Sequence, residues 1–231
     1  MNYIATHTPN FTIGVDLSGE NSKDYTIIST VEITKDYGIP VIVADNELNK
    51  VEYCYAEGYH IWEIYSKHDD EWIGLNHYRR YMRDFPKEQT VLPEPMHFNM
   101  HKQYGQCHNI EDLLECESII DKYFPQYKLN YDKIDVLYPC NMFVMNAVDF
   151  HHYCEFCLGV LGIFDAIHNY RTYEDVERYA KEKFPDRYRY QARLQGFLME
   201  RLGTIFFLNN FKKNDFITRP IIVNGDKQIL G

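Results

Sequence analysis

Short apolar runs alternate with longer stretches of helical spacing along this chain. Residues 2–5 form a brief strand-like run, closed by the polar turn Thr6-His7-Thr8-Pro9. A second buried-strand pattern covers residues 39–44 (Ile-Pro-Val-Ile-Val-Ala) and ends in Asp45-Asn46, a natural turn and helix start. Over residues 51–66, Tyr55, Tyr59, Trp62 and Tyr65 recur at spacings of three or four, which predicts a helix. Residues 72–76 read as a short strand. Residues 84–109, with Pro86, Pro93 and Pro95, read as a long loop of the kind that covers active sites.

The second half is richer in helix. Residues 110–124 are amphipathic, 134–138 read as a strand, and 142–145 begin another apolar stretch. A long helix over 147–168 places Tyr153, Phe156, Cys157, Val160, Leu161, Phe164 and Ile167 on one face. A charged helix over 173–183 is ended by Phe184-Pro185. A further helix over 188–208 buries Leu194, Phe197, Leu198, Leu202 and Ile205, and residues 216–223 add a strand. Strands alternating with helices up to residue 145, then mostly helices, predict one α/β domain. Its sheet is mostly parallel and its C-terminal part, 146–231, is helical.

Composition narrows the function. The formal charge of −10 disfavours non-specific binding to a phosphate backbone, although Arg79, Arg80 and Arg83 make a local basic spot, and Arg187, Arg189, Arg193 and Arg201 a second. Tyr and Phe number 20 and 14, which suits clefts for sugars and bases as well as half-buried packing. No signal peptide is read ahead of the six cysteines, so reduced thiols and a cytoplasmic location are expected. Cys154 and Cys157 fall inside a helical apolar pattern without a second pair at zinc spacing, so they read as core. No run of 18 apolar residues occurs, so no membrane span is expected.

The densest chemistry lies in Trp72-Ile73-Gly74-Leu75-Asn76-His77-Tyr78-Arg79-Arg80-Tyr81. An apolar strand delivers a histidine, two arginines and two tyrosines to its own carboxyl end, where ligands sit in parallel α/β sheets. Guanidinium groups bind phosphate through paired donors and stay charged. The residues alone fit a phosphate clamp or a solvated basic turn equally well.

This block resembles the Gly-Leu-x-His-Tyr-Arg-Arg-Tyr signature of a bacterial family of uncharacterised-domain glycosyltransferases found in capsular and exopolysaccharide gene clusters. Ile4-Ala5-Thr6-His7 is similar to the family's opening strand. Asn141-Met142-Phe143-Val144-Met145, followed by Phe150, Tyr153 and Cys154, resembles its Asn-Met-Phe-Ile-Met block. Gly196-Phe197-Leu198-Met199-Glu200-Arg201-Leu202 resembles its Gly-Phe-Leu-x-Glu-Arg-Leu helix. The family's Glu-Leu-Thr core is missing, since the chain reads Glu52-Tyr53-Cys54-Tyr55-Ala56 there.

The resemblance implies a GT-A-like, Rossmann-type fold and transfer of a sugar from a nucleotide-sugar donor, with a UDP-sugar expected. Residues 1–145 would bind the donor, and 146–231 would serve acceptor and catalysis. It implies donor contacts from Thr6, His7, Asp45, His77, Tyr78, Arg79 and Arg80, and acceptor or sugar contacts from Asn141 and Arg193. Glu200 would be the catalytic base, with Arg201 orienting it. Thr6, His7, Asp45 and Asn141 also fit plain turn or capping roles, and Glu200 a surface ion pair. Where related enzymes carry an Asp-x-Asp for a divalent metal, this chain has His77-Tyr78-Arg79-Arg80. Arg79 and Arg80 are therefore expected to take over the metal's work, with no metal or cofactor required, although His77 is itself a possible metal ligand. The expected acceptor is a surface polysaccharide or lipid-linked glycan. The alternatives are hydroxymethylated bases of phage DNA and, from another class, a non-catalytic sugar- or nucleotide-binding module.

Overall fold

The computed structural model describes residues 1–7, 24–44, 52–67, 69–77, 79–82 and 88–223. The strands are β1 (Asn2–Thr6), β2 (Tyr25–Ser29), β3 (Val41–Val43), β4 (Trp72–His77), β5 (Arg80–Tyr81), β6 (Thr90–Pro93), β7 (Met96–His97), β8 (Val136–Leu137), β9 (Phe143–Asn146), β10 (Phe216–Arg219) and β11 (Ile222–Val223). The helices are α1 (Glu52–Tyr55), α2 (Glu57–Lys67), α3 (Met100–Cys107), α4 (Ile110–Tyr123), α5 (Ala147–His168), α6 (Tyr173–Lys183), α7 (Tyr188–Gln191) and α8 (Leu194–Asn210).

Among the described residues, a nine-stranded sheet carries the α/β architecture. Its parallel half runs in the order β3-β2-β1-β4. β9 then lies antiparallel to both β4 and β6, and β10 adds parallel to β6. β5 folds back on β4 and pairs with β11. Alternation along the strands divides two apolar layers: Tyr3, Ala5, Ile28, Ile73 and Leu75 join the large helical core, while Ile4, Ile27 and Ile39 pack together on the other face. Burial on both faces is what parallel strands require.

α5 is the central helix, packed against α2, α4 and α8. Its edges are written in side chains. The Asn146 side chain accepts the Asp149 N–H at the start, and Asn169 takes a left-handed φ of 54° at the end. Tyr153 sits among Phe143, Phe206 and Phe207, so much of the aromatic content is core packing. Cys154 and Cys157 are buried free thiols here, and burial pushes both well above the usual thiol range.

Several elements differ from the sequence reading. The strand β2 was not expected; Thr26-Ile27-Ile28 is β-branched, but the run is too short to show a period. The helix expected over 51–66 breaks at Ala56, which has a φ of 48°. There α8 crosses so closely that a Cβ on Gly196 would lie 2.8 Å from Ala56 Cβ and 3.3 Å from the Tyr55 carbonyl. The loop expected over 84–109 contains β6, β7 and α3, with Pro93 and Pro95 at the strand ends and Asn99 capping α3. The 134–138 strand shrinks to β8, which pairs with β7 outside the main sheet. The last long helix divides into α7 and α8.

Gly196→Ala is expected to lower stability by about 1–3 kcal/mol through backbone overpacking. Gly162→Ala should raise it by up to about 1 kcal/mol, because a Cβ in that exposed helical position meets nothing within 4 Å. Thermal unfolding of both variants checks the pair. An unchanged midpoint for Gly196→Ala would mean that the α8 crossing is not close-packed.

Candidate functional site

Strand order alone locates a crevice. The chain builds outward from β1 to β2 and β3 on one side, while β4 lies on the other, so the order reverses between β1 and β4. Connections leaving adjacent strands diverge at such a point, and ligands bind beyond the carboxyl ends. β1 ends at Thr6, β4 ends at His77, and Ala5 is in register with His77.

The floor of this crevice is a set of buried ionisable groups. Glu57 opens α2 immediately after the break at Ala56, and it is buried. Its Oε1 lies 3.3 Å from His77 Nε2. The other ring nitrogen of His77, Nδ1, accepts the Arg79 backbone N–H at 3.1 Å. A neutral imidazole with Nδ1 accepting carries its proton on Nε2, which is the proton that faces Glu57. Burial drives the His77 pKa down to about 4; Glu57 opposes this, while Arg80, Arg79 and His7 reinforce it. Burial pushes Glu57 upward, but His77, Arg193 and His7 together outweigh it and hold the carboxyl below its ordinary value. A buried carboxylate thus orients a neutral histidine, and the histidine fixes the backbone of the arginine turn.

His60, on the same helix as Glu57, donates from Nε2 to the Thr6 carbonyl at 3.1 Å, and burial takes its pKa down to about 3. His7 meets it edge-on, with ring centroids 4.6 Å apart. His7 Nδ1 lies 3.2 Å from Thr30 Oγ1, while His7 Nε2 is buried with no partner among the described residues.

Cations rim the crevice. Arg79 is exposed, whereas Arg80 and Arg193 are half-buried. Arg193 and Arg79 both disfavour charge on His7, Arg80 and Arg79 do so on His77, and Arg193 favours the carboxylate of Glu57. All of these guanidinium groups therefore bear on one small volume.

The third wall is the turn Pro139–Asn141 facing α8. Cys140 and Asn141 have φ of 70° and 49°, a left-handed pair of non-glycine residues that costs on the order of 1–3 kcal/mol per residue. The Cys140 N–H donates to Glu200 Oε1 at 2.8 Å, which secures the turn. Burial and Glu200 push the Cys140 thiol up to about 12, and the positive charge of Arg80 pulls the other way. Glu200 Oε2 accepts Arg201 Nη1 at 2.9 Å. Arg201 is itself buried and also donates to the Phe197 carbonyl and to Gln103 Oε1, at 3.0 and 2.6 Å.

His7, His77, Arg79, Arg80 and Arg193 thus lie close enough to act on one another's charge or on that of Glu57, Glu200 joins Arg201 to the turn that carries Asn141, and Thr6 is fully buried at the end of β1. Asp45 and Tyr78 lie outside the described residues. Arg201 donates to Glu200, and the charge of Arg193 bears on Glu57 and His7. Sequence reasoning missed Glu57, His60 and Cys140. The aromatic spacing of the helix masks the first two, and Glu57 becomes a site residue only through the break before it. Among the described residues, no cluster of His, Cys, Asp or Glu is disposed to hold a metal ion, and no helix is long and apolar enough to cross a membrane.

The sequence profile of the family described as "Domain of unknown function (DUF4422)" matches residues 82–212. No curated protein matches the chain. Among solved structures, the apo structure of WbbM, described as a bifunctional glycosyltransferase, superposes with a TM-score of 0.71 at 15% identity. The likeness covers 100% of this chain and 46% of that one, so the chain spans less than half the length of that protein. At this identity the likeness establishes the fold.

The buried histidines set an acid sensitivity. His77 and His108, each at about 4, His60 at about 3, and the lowered His7 are neutral when folded, whereas unfolded histidines take up protons near pH 6.5. Unfolding therefore binds protons, and stability is lost as pH falls from about 6.5 toward 4. Asp112 and Asp165, raised to about 6 by burial, act in the opposite sense and offset part of the loss. The expected net slope is roughly 1–2 kcal/mol per pH unit. Denaturant titrations across this window measure it, with His60→Asn giving a shallower slope; a flat profile would mean that the imidazoles are not neutral in the fold.

Proposed function

The chain belongs to the DUF4422 family, which is defined without an activity, and on that premise we propose that it is a glycosyltransferase acting on a nucleotide-sugar donor, specifically a UDP-sugar. The observation that carries the proposal is the convergence of Arg79, Arg80 and Arg193 on the crevice at the strand-order reversal, with the carboxylate of Glu200 on the facing wall. A diphosphate leaving group gathers negative charge as its bond to the sugar breaks, and fixed cations in a partly desolvated cleft stabilise that charge. The likeness to WbbM supports the same reading, since that protein is described as a glycosyltransferase.

In the proposed reaction an acceptor hydroxyl attacks the anomeric carbon. Its proton passes to Glu200, the new carbon–oxygen bond forms, and the bond to the diphosphate breaks. Glu200 is suited to this because its side chain is 22% exposed, against 10% for Glu57. Each of its oxygens accepts one protein hydrogen bond and keeps a second lone pair. A base in this position implies single displacement with inversion. Arg201 orients Glu200, and the Glu57–His77 pair fixes the Arg79 backbone. The arginines supply the positive charge that a metal supplies elsewhere. The acceptor we infer is a glycan.

UDP release from a panel of UDP-sugars tests the activity and separates it from non-catalytic binding. Glu200→Gln keeps an acceptor for the Cys140 N–H but loses the charge, so turnover should fall by about 100-fold or more while UDP affinity stays within about twofold. Unchanged turnover would remove Glu200 from the role of base. Arg80→Ala should weaken UDP binding by about 10- to 100-fold. Activity should survive exhaustive chelation; complete loss, restored by manganese or magnesium, would overturn the assignment of the metal's work to the arginines.

A further inference from the structure

Asn141 is 5% exposed, and neither its Oδ1 nor its Nδ2 has a hydrogen-bond partner among the described residues. Because both ends of the amide are unpartnered, turning it over changes nothing. Asn76 is a useful contrast, since its Oδ1 accepts the Met82 N–H and ties down a turn. Asn141 performs no such structural task, yet it stands in a left-handed backbone that its neighbours hold firmly. Cys140 ties that turn to Glu200 through its N–H, and the charge of Arg80 bears on the same residue. A buried amide left unpaired is costly, and its cost is removed when a ligand satisfies both ends.

The position says which ligand. Resting on the glycosyl-transfer reading, Arg80 marks the diphosphate and Glu200 the attacked hydroxyl, and the group that lies between these two is the transferred sugar. An amide presents an acceptor and a donor side by side, at a spacing that suits two neighbouring ring hydroxyls, one donating to Oδ1 and one accepting from Nδ2. We propose that Asn141 is the specificity-determining residue for the donor sugar and that it reads a pair of adjacent free hydroxyls. The substrate class is thereby narrowed to UDP-sugars in which neither hydroxyl of that pair is missing, acylated or replaced by an acetamido group.

The test uses Asn141→Gly, because glycine keeps the left-handed turn without strain while deleting the amide, and Asn141→Asp, which keeps the acceptor and loses the donor. The wild type is first given a UDP-sugar panel, and then single-deoxy analogues of its best donor. UDP affinity is measured for each protein by calorimetry. In the wild type, deletion of either of two adjacent hydroxyls should cost about 100-fold or more in kcat/KM. Asn141→Gly should lose a similar factor on the parent sugar, show no further loss on those two analogues, and bind UDP within about twofold of wild type. Asn141→Asp should lose discrimination at only one of the two hydroxyls. Equal penalties for the analogues in wild type and Asn141→Gly would overturn the inference and leave Asn141 as a turn residue satisfied by water. UDP affinity falling in step with turnover would also overturn it. If the wild type binds UDP but releases none from any UDP-sugar, the glycosyl-transfer reading has failed and this inference falls with it. A wild type that turns over donors but ignores deoxygenation defeats the inference alone.

Discussion

Where α8 crosses the junction of α1 and α2, the absence of a side chain on Gly196 lets two helices approach almost to backbone contact. Much of the crevice follows from that approach. It accompanies the left-handed Ala56, and a helix that restarts at Glu57 aims its first carboxylate at the end of β4. The same placement of α8 sets Arg193 beside Glu57 and brings Glu200 against the Cys140 turn. Moving α8 by even a small amount would disturb a buried charge, its histidine partner and the proposed base together.

The electrostatics of the crevice are arranged by exclusion of water more than by net charge. The chain carries a formal charge of −10, yet arginines dominate this one region. Histidines that would add charge are kept neutral by burial, so they serve as dipoles with fixed donors and acceptors. Glu57 remains ionised because its neighbours are positive or hydrogen-bonding. The result is a set of donors held in fixed orientation, the arrangement that the proposed diphosphate site would need.

Legibility in the sequence tracked local signals. Both α5 and α6 were readable to the residue because their ends are written in side chains: Asn146 and Asn169 for one, and Thr172 with Asp175 for the other. β4 was readable from its apolar run and the basic block behind it. Elements defined by tertiary contact were not. α1 and α2 look like one helix until α8 packs across them, and β7 is too short to show a period. Of the crevice, the arginines stood out by residue type, and the Glu200-Arg201 pair only through the family resemblance. Glu57 and His60 did not, because a polar residue buried by its neighbours resembles a solvated one until those neighbours are placed.

The reversed direction of β9 has an evolutionary consequence. Its parallel neighbours end at the crevice, but an antiparallel strand begins there, since Phe143 pairs with Leu75 near the carboxyl end of β4. The Pro139–Asn141 turn is therefore delivered to the site by its own strand, in a stretch of chain separate from the arginine block. A change in that turn need not alter the register of any strand. A lineage built on this scaffold can therefore alter the residues around Asn141 at one wall while the opposite wall stays constant.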